Sequence, residues 1–209
     1  MIKLVWITPH ADQIIGDCAR VSSQGNEGKD PTRLIEYMIK HKHWSPFEMA
    51  SACFEINTTR SITHQILRHR SFSFQEFSQR YSDASLISGH TLCRVAAEKN
   101  RQSSELTHDL DLITKWNLLE DSVSQFTYEA YLDALEIGVA KEVARVLLPE
   151  GLTRSRLYMT GTIRSWIHYL ALRCAEDTQL EHRSIAMEIK RLLWNYVPIT
   201  LEAVERSKE

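Results

Sequence analysis

Gln65 to Tyr81 reads QILRHRSFSFQEFSQRY, and its reading decides how the rest of the chain is arranged. Gln65, Arg68, His69 and Arg70 crowd the end of one predicted helix, residues 59–70, and Ser73, Glu76, Ser78 and Arg80 follow within ten residues. No hydrophobic core needs so many polar side chains. In a helix each residue turns about 100°, so Arg68, His69 and Arg70 fan around the axis and cannot all face one small ligand. Gln65 and Arg68, three apart, share a face. The pattern predicts two polar surfaces meeting at one helix end, with Gln65 and Arg68 serving one ligand and His69 and Arg70 another. A solvated helix terminus is the plainer alternative, since cations at the C-terminal end of the helix dipole gain roughly a few tenths of a kcal/mol.

Composition bounds the remaining possibilities. The 209 residues suit a single domain spanning 1–209, large enough to bury a core. Hydrophobic residues at 43% and charged residues at 25% describe an ordinary globular protein. A net charge of −2 argues against a general nucleic-acid binder, which would carry a basic excess. The opening MIKLVWITPHAD holds one Lys and a short apolar run broken by Pro9, so it reads as neither a signal peptide nor a membrane span. A cytoplasmic protein is expected. Cys18, Cys53, Cys93 and Cys174 form no CxxC pair and predict four reduced, mostly buried thiols.

Along the chain, Ile2 to Thr8 reads as a strand and residues 10–22 as a helix. Asp30-Pro31 predicts a helix start, with Leu34, Ile35 and Met38 on its apolar side up to His41. Pro46 separates that helix from a strand over Met49 to Thr58. Two polar stretches, 22–30 and 82–104, carry no clear periodicity. From His108 to Gly138 runs a long helical pattern whose stripe, including Leu112, Trp116, Leu119, Val123, Phe126, Tyr131 and Leu135, predicts core, with Gly138 as its C-terminal stop. A short helix over 140–148, a strand over 152–160, a helix over 162–173 and a final helix over 178–196 complete the reading. In the short helix, Glu142 and Arg145 are three apart, a spacing that also suits an exposed ion pair of small value.

Arg68-His69-Arg70-x-x-Ser73-x-x-x-x-Ser78-x-Arg80 resembles, at every fixed position, the RHRxxSxxxxSxR motif of the flavin-dependent thymidylate synthases. His43-x-Ser45-Pro46-Phe47-Glu48 is similar to a second box of that family, and Glu142-Val143-Ala144-Arg145-x-x-Leu148-Pro149 to a third. The resemblance implies an α+β fold, a single domain with a modest central sheet flanked by helices. It also implies a homotetramer with active sites between subunits. It further implies reductive methylation of dUMP to dTMP, with 5,10-methylenetetrahydrofolate as carbon donor and reduced FAD, replenished by NADPH, as hydride donor.

By the same resemblance, Arg173 and His43 are catalytic, Arg173 at the uracil and His43 over the flavin. Ser45, Arg68, His69, Arg70, Glu76, Thr162, Arg164 and His168 bind FAD, although Thr162 and His168 stand where the family usually has Asn. Gln65, Arg68, Glu76, Ser78, Gln79, Arg80, Arg145 and Arg173 bind dUMP. The residues themselves fit that chemistry. The chain has no GxGxxG or GxxxxGK[ST] loop to cradle phosphates, and arginine forks are the substitute, each able to make paired charge-assisted hydrogen bonds to a phosphate. Two alternatives belong to other classes. A non-catalytic nucleotide- or RNA-binding module would use the same arginines, and a metal-dependent hydrolase would use the histidines, although no HExxH or carboxylate set accompanies them. No metal, nucleic-acid or membrane partner is expected.

Overall fold

The computed structural model describes residues 1–22, 26, 28–98 and 103–207, so the polar stretches at 22–30 and 82–104 lie partly outside the described residues. Two units are distinguished: Met1–Ile56 with Arg68–Gln75 and Tyr158–Glu209, and Asn57–Leu67 with Glu76–Leu157.

In the first unit β1 (Ile2–Ile7) pairs antiparallel with β2 (Ser51–Thr59), Ile2 opposite Ile56 and Ile7 opposite Ala52. Adding β3 (Ser73–Glu76) and β6 (Arg154–Thr162) gives a four-stranded sheet ordered β1-β2-β6-β3. β6 alternates cleanly, with Ser155, Leu157, Met159 and Gly161 buried between more exposed neighbours, as the two-residue period of a strand requires. The helices are α1 (Ala11–Ala19), α2 (Thr32–Lys40), α6 (Ile163–Arg173), α7 (Leu180–Leu193) and α8 (Pro198–Arg206). Trp166 of α6 sits edge-on to Phe54 of β2, ring centroids 5.0 Å apart, and donates its indole N–H to the Ala52 carbonyl at 3.2 Å.

The second unit holds α3 (Arg60–Ile66), a two-stranded hairpin of β4 (Arg94–Ala96) and β5 (Ser104–Leu106), α4 (Leu110–Glu136) and α5 (Lys141–Ala144). Its small core gathers Ala84, Tyr131, Ala144 and Leu148. The Tyr131 hydroxyl accepts the Ala84 N–H at 3.2 Å. Among the described residues no helix is long and apolar enough to cross a membrane.

The mixed α+β arrangement agrees with the sequence reading; four local expectations do not. α3 ends at Ile66, with Leu67 closing its last turn on Thr63, so Arg68, His69 and Arg70 follow the helix and the fan around its axis does not exist. Tertiary packing of His69 and Phe72, described below, outweighs the helical propensity of that stretch. The α4 stripe is core only at its end, where Tyr131 is buried and Leu135 packs beside it; its first five positions are not. Leu112, Trp116, Leu119, Val123 and Phe126 are 37–74% exposed, and only Glu120 and Tyr131 of this helix are buried, because periodicity identifies an apolar face without identifying what covers it. Cys53 alone of the four free cysteines is buried. The helix expected over 178–196 is α7, which stops at Leu193, but it is not the final one: Pro198 opens α8, at a position where its missing N–H is harmless.

The start of α8 is secured from far away in sequence. Asp12 of α1, 7% exposed, accepts the Ile199 N–H at 2.9 Å, the Thr200 N–H at 3.3 Å and the Thr200 hydroxyl at 2.5 Å. Burial raises the Asp12 pKa, and those three donors offset it only in part. Because the native carboxyl holds its proton more tightly than the unfolded one, this group's contribution to stability declines as pH rises from the ordinary carboxylate range through the raised value. Asp12→Ala should cost about 1–3 kcal/mol, the loss of a cap plus orphaned buried donors. Asp12→Asn keeps an acceptor without the buried charge and should cost less. Urea titrations of both variants at pH 7.5 check the order; an Ala variant as stable as wild type contradicts it.

Candidate functional site

In the first unit, α2 ends in a Schellman motif built on a lysine. Lys42 takes a left-handed φ of 58°, its N–H reaches the Ile39 carbonyl at 3.1 Å, and the His43 N–H reaches that of Met38 at 2.8 Å. A non-glycine residue held there costs about 1 kcal/mol or more, strain of the kind that clusters at functional positions. The turn leaves His43 exposed, with its ring edge-on to Tyr37 at 5.7 Å. Ser45 opens the short 3-10 helix Ser45–Glu48 and is exposed. Glu48, at the end of the same box, pairs with Arg164.

α6 presents two functional faces, since residues four apart lie one above the other. Arg164 and His168 occupy one. His168 packs edge-on to Trp44 at 4.7 Å, and partial burial together with Arg164 lowers its pKa. A cavity of about 750 Å³ is lined there by Trp44, His168, Lys40, Lys42 and Arg206 among others. Thr162 is the N-cap of α6, its hydroxyl accepting the Ser165 N–H at 3.2 Å.

Tyr169 and Arg173 occupy the other face, and there the RHR stretch lands. Arg173 Nε donates to His69 Nε2 at 2.9 Å. The loop carrying His69 is fixed by Phe72, which stands edge-on to Trp166 at 4.6 Å, and by the Ser165 hydroxyl, which donates to the Ser71 carbonyl at 3.1 Å. Gly161 on β6 makes room for that ring, for a Cβ there would overlap Phe72. Burial first, then Arg173 and Arg68, lower the His69 pKa to about 4, so the ring is neutral at physiological pH. Arg68 and Arg70 are exposed and make no ion pair with a carboxylate among the described residues.

The second unit gathers the other predicted residues. Glu76 Oε1 accepts the Ser155 hydroxyl at 2.8 Å and faces Arg60 at 3.4 Å. Arg80 pairs with Glu142 at 3.0 Å, while Arg145 Nε donates to the Glu142 backbone carbonyl at 3.1 Å. The exposed ion pair that the Glu142–Arg145 spacing would also suit does not form; the Glu142 carboxylate pairs with Arg80. A cavity of about 410 Å³ is lined by Arg60, Gln79, Glu142, Arg145 and Thr153 with three further residues. Gln79 is 4% exposed, and its side-chain NH₂ finds no acceptor among the described residues. A buried unpaired donor costs about 1–3 kcal/mol, which a ligand acceptor would recover.

Most residues predicted for dUMP, namely Gln65, Glu76, Ser78, Gln79, Arg80 and Arg145, belong to the second unit. Most predicted for FAD, namely Ser45, Arg68, His69, Arg70, Thr162, Arg164 and His168, belong to the first, as do His43 and Arg173. The direct His69–Arg173 contact was not foreseen, since the sequence reading gave these residues to different ligands. Arg60, Trp44, Tyr169 and His182 were missed. Arg60 and Trp44 had a signal, Trp44 lying inside the His43–Glu48 box and Arg60 opening the helix that carries Gln65; Tyr169 and His182 were not singled out. Among the described residues no group of three or more His, Cys, Asp or Glu could hold a metal ion.

These features suit an α+β protein that holds anionic, ring-bearing ligands through arginines and not through a glycine loop. The family model described as thymidylate synthase complementing protein matches residues 3–199. The flavin-dependent thymidylate synthase of Synechocystis sp. is 45% identical over 194 residues, 92% of this chain and 88% of that protein. A probable flavin-dependent thymidylate synthase of Paramecium bursaria Chlorella virus 1 is 42% identical over 197 residues, 93% and 91% of the two chains. Among solved structures, the UMP/dUMP methylase PolB from Streptomyces cacaoi, bound with 5-Br dUMP, superimposes with a TM-score of 0.87 at 25% identity, covering 99% of this chain and 94% of that one. The chain belongs to the flavin-dependent thymidylate synthase family.

Gly161→Ala should push the Phe72 ring away, costing about 1–3 kcal/mol by overpacking. Phe72→Leu in the same chain should restore part of that loss, because the space is shared. Thermal melting of the two single variants and the double variant checks this, and strictly additive losses would show that the two residues do not compete for one space.

Proposed function

We propose that this chain methylates dUMP reductively to dTMP, taking the carbon from 5,10-methylenetetrahydrofolate and the hydride from reduced FAD, which NADPH replenishes. The observation that carries the reading is Arg173: its Nε is held by a neutral His69, and its two Nη groups make no hydrogen bond to the described residues. A guanidinium so placed stabilises the anion formed when the uracil N3 gives up its proton, making C5 electron-rich. That is electrostatic catalysis aimed at charge as it develops.

The donor set fits a flavin dinucleotide. Arg68 and Arg70, without carboxylate partners, suit the pyrophosphate; Ser45, His69, Glu76, Arg164 and His168 line the remainder, and His43 stands near the reactive ring. Thr162 Oγ1 already caps α6, so only its remaining hydrogen-bonding capacity is available to the coenzyme. FAD, when bound, supplies the hydride; the residues orient the pyrimidine against it and exclude water. Gln65, Glu76, Ser78, Gln79, Arg80 and Arg145 hold the nucleotide with Arg68 and Arg173. The buried Gln79 amide donates to an oxygen of dUMP, and Arg145 takes the phosphate.

Arg173→Ala should retain FAD absorbance while tritium release from C5-labelled dUMP falls at least a hundredfold. Normal turnover in that variant would remove Arg173 from its role. Protein that is colourless after FAD is added back, and that binds polynucleotide with a steep salt dependence, would favour the binding module instead.

The assembly proposed is a homotetramer in the cytoplasm, with active sites completed between protomers. Leu112, Trp116, Leu119, Val123 and Phe126 support it: spaced four and three in turn along α4, they form an exposed apolar seam of the kind that helices bury in one another. Phe126→Glu should shift the particle to smaller species in gel filtration and lower activity with it. An unchanged elution volume would exclude this seam from the interface.

A further inference from the structure

Behind the His69–Arg173 contact lies a polar pair in a place where an apolar one would fill the volume. His182 of α7 is fully buried and Tyr169 of α6 is 1% exposed, with the Tyr169 hydroxyl 3.1 Å from His182 Nε2. Burying a hydroxyl and an imidazole costs about 1–3 kcal/mol each unless they satisfy one another. Here they do, and the bond ties α7 to α6 beneath the catalytic face.

Both rings also form the wall of His69. Tyr169 stands edge-on to it at 4.9 Å and 74°, and His182 at 6.2 Å and 86°. Phe72 closes another side at 6.4 Å and 89°. Arg173 reaches the histidine with an N–H, and a guanidinium has donors only. His69 Nε2 must therefore carry the lone pair, which leaves the ring proton on Nδ1. Protonating Nε2 would break the contact and set an imidazolium against Arg173.

We propose that Tyr169 and His182 are positioning residues for Arg173: their buried hydrogen-bonded pair fixes the wall that presents His69 Nε2 as an acceptor and so sets where the guanidinium stands. The inference rests on the role given to Arg173 above. The charged and titratable groups acting on His69 are Arg173, Arg68 and His182, while Tyr169, whose hydroxyl is pushed well above its ordinary range by burial, stays neutral. Burial, Arg173 and His69 lower the His182 pKa to about 4, so neither imidazole is charged at neutral pH. A water-filled gap in place of His182 would rehydrate His69 and let it take a proton at a higher pH.

The full-length protein with FAD bound, labelled with ¹⁵N at histidine, tests this by the ring nitrogen shifts of His69. In the wild type, Nε2 should remain unprotonated and Nδ1 protonated from pH 5.5 to 8. In His182→Ala the inflection should rise to the ordinary imidazole value of about 6.5, and kcat/KM for dUMP at pH 6 should then fall about fourfold relative to pH 8, since about a quarter of an ordinary imidazole is neutral there. His69→Gln in the same chain supplies an acceptor that does not titrate, so that acid limb should vanish.

Tyr169→Phe keeps the rings and deletes only the hydrogen bond; it should move the His69 Nε2 shift toward that of a solvated imidazole. His69 titrating above pH 6 in the wild type, an unmoved Nε2 shift in Tyr169→Phe, or an acid limb that persists in the double variant overturns the proposal. Full turnover in Arg173→Ala would instead defeat the reading beneath it, while the His69 shifts of the wild type and of Tyr169→Phe still report on the buried pair.

Discussion

A guanidinium can only donate, so whatever holds Arg173 by its Nε must offer a lone pair, and in this chain that is the neutral ring of His69. Much follows from that constraint. The ring stays neutral because Tyr169, His182 and Phe72 wall it and because Arg68 and Arg173 disfavour a further positive charge. The loop that brings it there needs Phe72 lodged over a glycine, and Gly161 is that glycine. α3 ends before the RHR stretch, which leaves His69 free to meet α6 as a continued helix would not. A contact between two side chains thus reaches back to a strand glycine, a helix end and a buried Tyr–His pair.

The remaining arginines divide by partner. Arg60 faces Glu76, Arg80 faces Glu142 and Arg164 faces Glu48, whereas Arg68, Arg70 and Arg145 have no such carboxylate among the described residues. The Arg80–Glu142 and Arg164–Glu48 pairs are substantially exposed and worth well under about 1 kcal/mol each. Such pairs hold side chains in place without binding them strongly, so a phosphate making paired charge-assisted bonds displaces the carboxylate at small cost.

The sequence displayed the elements well where they state their own boundaries. Asp30 does its work at the start of α2, its carboxylate accepting the Thr32 N–H at 3.1 Å, and Gly138 follows α4 with a φ of 90°. Helix ends decided by distant partners were not legible. α3 stops at Ile66 although nothing in its own residues demands it, and α8 depends on Asp12, nearly 190 residues away. The site divided in the same manner. Boxes of consecutive polar residues declared His43, Arg68, His69, Arg70, Glu76 and Arg80. Tyr169 lies among apolar residues of α6 and His182 among charged ones of α7, and both acquire meaning only when α6 and α7 lie side by side, which no spacing within either helix encodes.

α4 carries the same lesson from the opposite side. A helix of 27 residues runs about 40 Å, yet within its own unit only Glu120 and Tyr131 are buried. Glu120 accepts the Thr91 N–H and hydroxyl, and Tyr131 accepts the Ala84 N–H, two anchors about three turns apart. Between and beyond them, Leu112, Trp116, Leu119, Val123 and Phe126, spaced four and three in turn, share one face of the helix and are exposed. A stripe of that kind costs free energy in water and is stabilising only when another apolar surface meets it. The periodicity therefore recorded a real face, but within the described residues of one chain nothing covers its first five positions, whereas Tyr131 is buried.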